Sequence, residues 1–258
     1  MMDGFVVFLR KELREAWRTS RLLVIALIFL AFGLMSPVLA KYTPDLLKSL
    51  GGSVQIVIPP PQTADAVDQF LKNVGQNGIF VAILLAMGIV AREKERGTAA
   101  FVLTKPVTRL AFLVAKLAGL VATLSVGLVI AGIGDYLYTA LLFTPLSVGG
   151  FLVSCLLVLL SLLAYATITF LGSTLTPSSL PAAGIGLAAW LLLAIVGTLP
   201  KIGDYTPGAL LGPARAIALG TAPQHLGQSL LGTCFLIGAA VALAWLSFRS
   251  QELATAAT

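Results

Sequence analysis

Along the chain, long stretches without a single charged side chain alternate with short segments into which the charges are crowded. Residues 22–40 and 73–91 are uncharged over 19 residues each, 216–248 over 33 and 136–200 over 65. A helix needs about 20 mainly apolar residues to cross the hydrocarbon core of a bilayer. These runs therefore predict membrane spans. The longest apolar region divides at Thr144-Pro145 with Gly149-Gly150, and again at Thr176-Pro177-Ser178-Ser179-Leu180-Pro181, both clusters of turn-forming and helix-breaking residues. Six spans result, at about 22–40, 73–91, 117–143, 151–175, 182–199 and 227–248. They lie in a single transmembrane domain over 1–258, with an outer loop at 41–72 and one sizeable loop on the opposite side at 92–116. The expected fold class is an all-α integral membrane protein.

Composition narrows the class further. Of the 258 residues, 58% are hydrophobic and 11% charged, with a mean hydropathy of +0.97. A soluble domain carries about 25% charged residues, so a soluble globular fold is excluded, as is disorder, which needs low hydrophobicity. Two cysteines are too few for a disulfide scaffold.

Charge placement gives orientation. Arg10, Lys11, Arg14, Arg18 and Arg21 precede the first span. Arg92, Lys94, Arg96, Lys105, Arg109 and Lys116 lie between the second and third, and Arg249 follows the sixth. That makes twelve on one side, against Lys41, Lys48, Lys72, Lys201 and Arg215 on the other. By the positive-inside rule both termini and segment 92–116 are expected in the cytoplasm, with the protein multi-pass in the cell (inner or plasma) membrane. In a soluble chain a net charge of +6 would invite a nucleic-acid reading. Here the basic residues flank spans, and no nucleic-acid partner is expected. Val38-Leu39-Ala40 resembles a signal-peptidase site, but a signal core is about 7–15 residues long. A run of 19 after a charged segment of 21 reads better as a retained anchor.

The segments outside the spans have patterns of their own. In 1–21, Phe5, Phe8, Leu9, Leu13, Ala16 and Trp17 recur at three- and four-residue steps opposite the basic residues, as in an amphipathic helix lying in the membrane interface. It is either a simple attachment or an elbow beside a moving bundle. In the outer loop, Pro59-Pro60-Pro61 forms a stiff extended element. Thr63 follows as a possible cap, with Asp65 and Asp68 in the first turn and Val67, Phe70, Leu71 and Val74 on one face. This helix reads as a cap on the outer mouth, with a substrate gate as the other possibility.

Segment 92–116 is the most informative. REKERGTAAFVLTKPVTRLAFLVAK combines alternating charge, a Gly97-Thr98 break, a short apolar turn and Lys105-Pro106, after which Thr108 can cap the third span. Phe101, Val102 and Leu103 form an apolar patch between polar flanks, which suggests a docking surface. The pattern Glu93, Glu95, Gly97, Thr98, Leu103, Lys105, Pro106, Arg109 and Lys116 resembles the cytoplasmic signature of ABC transporter permeases of the second, exporter-like class (ABC-2 type). Thr104 stands where serine or another small residue is commoner in that pattern. The six-span layout, the interfacial N-terminal helix and the large first outer loop are similar to the same family.

That resemblance implies a mechanical role. Such permeases hold no ATPase of their own. A separate cytosolic ABC ATPase binds ATP and Mg, and two permease copies pair as a homodimer or heterodimer. The chain has no GxxxxGK[ST] phosphate loop, and no cofactor and no catalytic residue of its own are expected. By the likeness, the loop between spans two and three carries a coupling helix that fits the ATPase, with Glu93, Glu95, Gly97, Thr98, Phe101, Leu103, Lys105, Pro106, Arg109 and Lys116 as coupling residues.

Other residues invite weaker readings. Asp135 is the one acid inside the long apolar region, and an acid there is a functional candidate. Counting from Lys116 at about 1.5 Å per residue places it about 28 Å along the helix, near the outer boundary. An interfacial or structural role therefore competes with a substrate or proton site. His225 is expected in an exposed outer loop, no metal site is expected, and Cys155 and Cys234 read as buried free thiols. Pro207–Leu219 is too short to cross and reads as a re-entrant or surface helix with Arg215 toward an outer vestibule. Gly184 with Ala188 permits close helix contact. Two other classes compete with the permease reading: an ion-coupled secondary transporter, which calls for several buried ionisable residues, and an intramembrane enzyme.

Overall fold

The computed structural model describes residues 14, 20–50, 59–95 and 108–250. The N-terminal interfacial helix expected over 1–21 falls, apart from Arg14, Ser20 and Arg21, outside the described residues. The described residues are helical throughout their regular structure. We label the α-helices α1 (Arg21–Leu50), α2 (Thr63–Phe70), α3 (Gly78–Ala86), α4 (Ala91–Glu95), α5 (Arg109–Leu142), α6 (Val148–Leu175), α7 (Ser179–Gly197), α8 (Leu211–Ala218) and α9 (Leu226–Ser250). A π-helical stretch, Leu71–Asn77, joins α2 to α3, and two short 3₁₀ turns, Gly203–Tyr205 and Pro207–Leu210, precede α8.

Six helical runs are long and apolar enough to cross a membrane: Arg21–Leu47, Thr63–Glu95, Arg109–Leu142, Val148–Leu175, Ser179–Gly197 and Leu226–Ser250. The helices extend past the uncharged runs. The first continues through Lys41 and Asp45 despite Pro37 and Pro44 within it. The second begins at Thr63, so much of what reads as outer loop is helix. Proline removes an internal N–H, and near the two prolines Ser36 Oγ donates to the Phe32 carbonyl at 2.6 Å and Thr43 Oγ1 to Leu39 at 2.5 Å.

The turns obey local chemistry. Thr108 Oγ1 accepts from Ala111 N at 3.2 Å and Ser147 Oγ from Gly150 N at 3.2 Å, capping α5 and α6. Thr63 is the first residue of α2 rather than its cap. The Asp65 carboxylate accepts from Gln62 N at 2.7 Å, and the Thr63 hydroxyl instead meets that of Thr144 at 2.6 Å, tying α2 to the α5–α6 turn.

Each span is apolar all round, so packing depends on shape. The α1–α5 pair is the most extensive, and Gly33 brings α1 against the backbone of Ala131. Helix α6 is central, touching α3, α5, α7, α8 and α9. Phe29, Phe70, Ile83, Leu124, Leu162 and Leu210 are wholly buried in this core. Helix α7 meets α6 through Ala182, Ala183 and Gly186, where a Cβ at Gly186 would strike Thr169. Gly184, by contrast, has nothing within 4 Å of an added Cβ, so the small pair expected to make the contact faces away from the bundle. Cys155 is half-buried and Cys234 exposed, the latter against expectation.

The short helix α8 lies against α6, with Ala214 and Ala218 buried. Its Arg215 is half-exposed and paired with Asp68. The guanidinium donates through Nε to Asp68 Oδ1 and through Nη2 to Oδ2 at 3.1 Å. The Asp68 carboxylate raises the Arg215 pKa above its ordinary value, chiefly through these hydrogen bonds. His225 is exposed, with Nδ1 2.8 Å from Gln228 Oε1 and 3.5 Å from Asp204 Oδ2.

Candidate functional site

The second span breaks over the four residues that follow α3, Met87–Val90, before resuming as α4. A break leaves N–H groups without intrahelical partners. Ser173, wholly buried near the end of α6, supplies the acceptor: its Oγ takes hydrogen bonds from Val90 N at 3.0 Å and Ala91 N at 2.9 Å. One turn of helix carrying four charged residues, Arg92 to Glu95, is thereby held against α6.

Three of these charges, Glu93, Lys94 and Glu95, each reach a different span. Glu93 Oε1 meets Lys116 Nζ of α5 at 2.6 Å, with side chains 18% and 7% exposed. Lys94 donates to the carbonyl of Thr174 on α6. Glu95 Oε1 accepts from Ser179 N at 3.0 Å and Oε2 from Ser179 Oγ at 3.2 Å. Ser179 opens α7, whose own N-cap, Ser178, makes no side-chain cap bond. The carboxylate of Glu95 thus serves an orphan donor and complements the positive end of the helix.

The start of α5 is anchored in the same way. Arg109 Nη1 donates to the carbonyls of Phe248 at 3.2 Å and Arg249 at 2.8 Å, satisfying the unbonded C-terminal end of α9. Beneath it Phe112 stacks on Phe248, with centroids 5.7 Å apart and planes 14° off parallel, and Lys116 Nζ lies 5.4 Å from the Phe112 ring. A separate apolar cluster of Val90, Phe112, Leu113, Phe170, Ala244 and Phe248 underlies these polar bonds.

Both edges of segment 96–107 are therefore clamped to the bundle. Of the ten residues the sequence singles out, Glu93, Glu95, Arg109 and Lys116 converge here and bond to neighbouring helices. Gly97, Thr98, Phe101, Leu103, Lys105 and Pro106 lie outside the described residues. Sequence reasoning misses Lys94, Ser173, Thr174 and Ser179. Ser179 stands in a legible helix-start cluster, but its acid is 84 residues away, and nothing local marks Ser173.

Asp135 occupies a different place. It is wholly buried within the chain, on α5 one turn before Thr139. Among the described residues neither Asp135 Oδ1 or Oδ2 nor the Thr139 hydroxyl makes a well-formed hydrogen bond, and the polar group set against the carboxyl is that of Thr139. The flanking Tyr136 donates to the carbonyl of Leu146 at 3.1 Å, and Tyr138 is exposed. An aromatic belt at this level fits Tyr138. Asp135 itself does not face an interface with lipid or water.

Six apolar helices closed at one end by a charged clasp define a multi-pass membrane protein without a recognisable catalytic centre among the described residues. The chain belongs to the ABC-2 family transporter proteins, whose family profile matches residues 6–215. It is similar to the uncharacterized transmembrane protein YxlG of Bacillus subtilis (strain 168), with 27% identity over 260 residues covering 97% of this chain and 99% of the relative. Members of this family are in general non-enzymatic membrane subunits of transporters, and typically partner with ABC ATPases.

Proposed function

We propose that this chain is the permease subunit of an ATP-binding-cassette transporter. ATP and Mg are bound by a separate cytosolic ATPase, and the permease converts that hydrolysis into export of a substrate or mechanical work across the cell membrane. Two permease copies pair, and both termini and segment 92–116 face the cytoplasm, in keeping with the twelve-to-five distribution of basic residues. The observation that carries the reading is the clasp. Glu93, Lys94, Glu95 and Arg109 connect the two edges of the loop to α5, α6, α7 and α9, so a push on the loop moves four spans together.

The test is co-purification in detergent with the product of an adjacent ATPase gene, followed by ATP hydrolysis measured for the complex and for the ATPase alone. A complex forms with the wild-type chain, and its hydrolysis rate differs from that of the free ATPase. Gly97→Trp lowers complex formation, whereas Glu95→Ala keeps the complex and loses the effect of the permease on hydrolysis. Failure of the wild-type chain to bind, or coupling untouched in both variants, overturns the reading.

A further inference from the structure

Between α1 and the second span, at the end where α1 begins, lies a groove of about 390 Å³. That is within the roughly 300–1,000 Å³ of small-ligand sites. Its walls are apolar, with Val24 on α1 facing Leu84 and Leu85 on α3, and it opens sideways, since Val24 and Leu84 are 48% and 60% exposed. At its end stand two guanidiniums, Arg21 and Arg92. Neither has a carboxylate partner among the described residues.

Gly88 shapes this arrangement. A Cβ built there would lie 2.6 Å from Arg92 Nε and 2.9 Å from its Cδ. The Arg92 side chain therefore folds back one turn over the bare glycine, alongside the groove. An apolar slot open on one side, ending in two guanidiniums at the charged ends of their spans with no carboxylate partner among the described residues, is complementary to one molecule class: a chain with an anion at its end. We infer that this groove binds an anionic phospholipid, one acyl chain between Val24 and Leu84 and the phosphate on Arg21 and Arg92.

The experiment titrates the purified full chain in detergent with dioleoylphosphatidylglycerol, dioleoylphosphatidylcholine or inorganic phosphate, counting bound molecules by native mass spectrometry. Phosphatidylglycerol binds more tightly than phosphatidylcholine, and millimolar phosphate does not displace it. Arg21→Ala and Arg92→Ala each weaken phosphatidylglycerol about fivefold, the worth of one basic residue near a membrane surface. Gly88→Ala, which keeps every charge and only displaces the Arg92 side chain, weakens it in the same direction. Arg92→Lys retains more binding than Arg92→Ala. Val24→Trp fills the slot and weakens both lipids. Equal affinity for the two lipids, unchanged binding in the Arg92→Ala and Gly88→Ala variants, or full competition by phosphate overturns the inference; the last would make this an anion site without a chain.

Discussion

Lys116 and Glu93 carry opposite charges into a place almost closed to water. Removing one partner of a buried pair weakens the compensation of the other, at a cost of up to about 3–5 kcal/mol, whereas replacing both by apolar groups can be close to neutral. Glu93→Leu is therefore expected to destabilise the folded protein, and Glu93→Leu with Lys116→Met to recover part of the loss. Thermal unfolding of the wild type, both singles and the double in one detergent measures this, and additive losses would show that the two side chains do not act as a pair. Asp135 makes the opposite case. Its carboxyl is wholly buried without a well-formed hydrogen bond among the described residues, and such burial costs about 1–3 kcal/mol on protein scales. Asp135→Ala, which removes both carboxyl oxygens without adding volume, is expected to leave the fold intact and raise its melting temperature. A fall would show that the carboxyl serves a partner in the native state.

At the scale of elements, glycine decides how closely the spans approach. A Cβ at Gly33 runs into the carbonyl of Ala131, a backbone atom that cannot swing aside, whereas one at Gly184 meets nothing within 4 Å. Gly33→Ala is expected to cost about 1–3 kcal/mol, as overpacking does, and Gly184→Ala to be neutral, both read by unfolding in detergent. Equal effects would place the close contact elsewhere. The sequence makes Gly184 with Ala188 look like the packing pair because spacing alone cannot say which face of an all-apolar helix meets its neighbour. The breaks are more legible. Thr108 caps α5 where its residue type says it should, because a cap is a bond within four residues, and Ser147 caps α6 inside the legible turn. The bond pattern of Ser173 was not legible, because its donors lie 82 and 83 residues away.

For the whole molecule, the clasp makes a mechanical statement. If α5 and α9 move as one body under the loop, joining them at Phe112 and Phe248, whose rings already stack, changes nothing. A Phe112→Cys/Phe248→Cys chain lacking Cys155 and Cys234, cross-linked through disulfides by a short bis-methanethiosulfonate reagent, is expected to retain the effect on an ATPase that the proposed function assigns to it. Loss of that effect on cross-linking, restored on reduction, would show that α5 and α9 must separate during the cycle.

The six apolar runs, their borders and the twelve-to-five charge asymmetry are properties of the chain itself, because span length and flanking charge are local. Depth is local too. Counting residues from Lys116 places Asp135 near the far end of its span, and α5 indeed continues only seven residues beyond it. What sequence leaves open is rotation about each helix axis. A span that is apolar all round has almost no amphipathic face to read. Whether Asp135 meets lipid or core, whether Glu93 meets solvent or Lys116, and which glycine touches a neighbour are settled only when the helices pack. At that point partners 23, 84 and 140 residues apart arrive within hydrogen-bond distance.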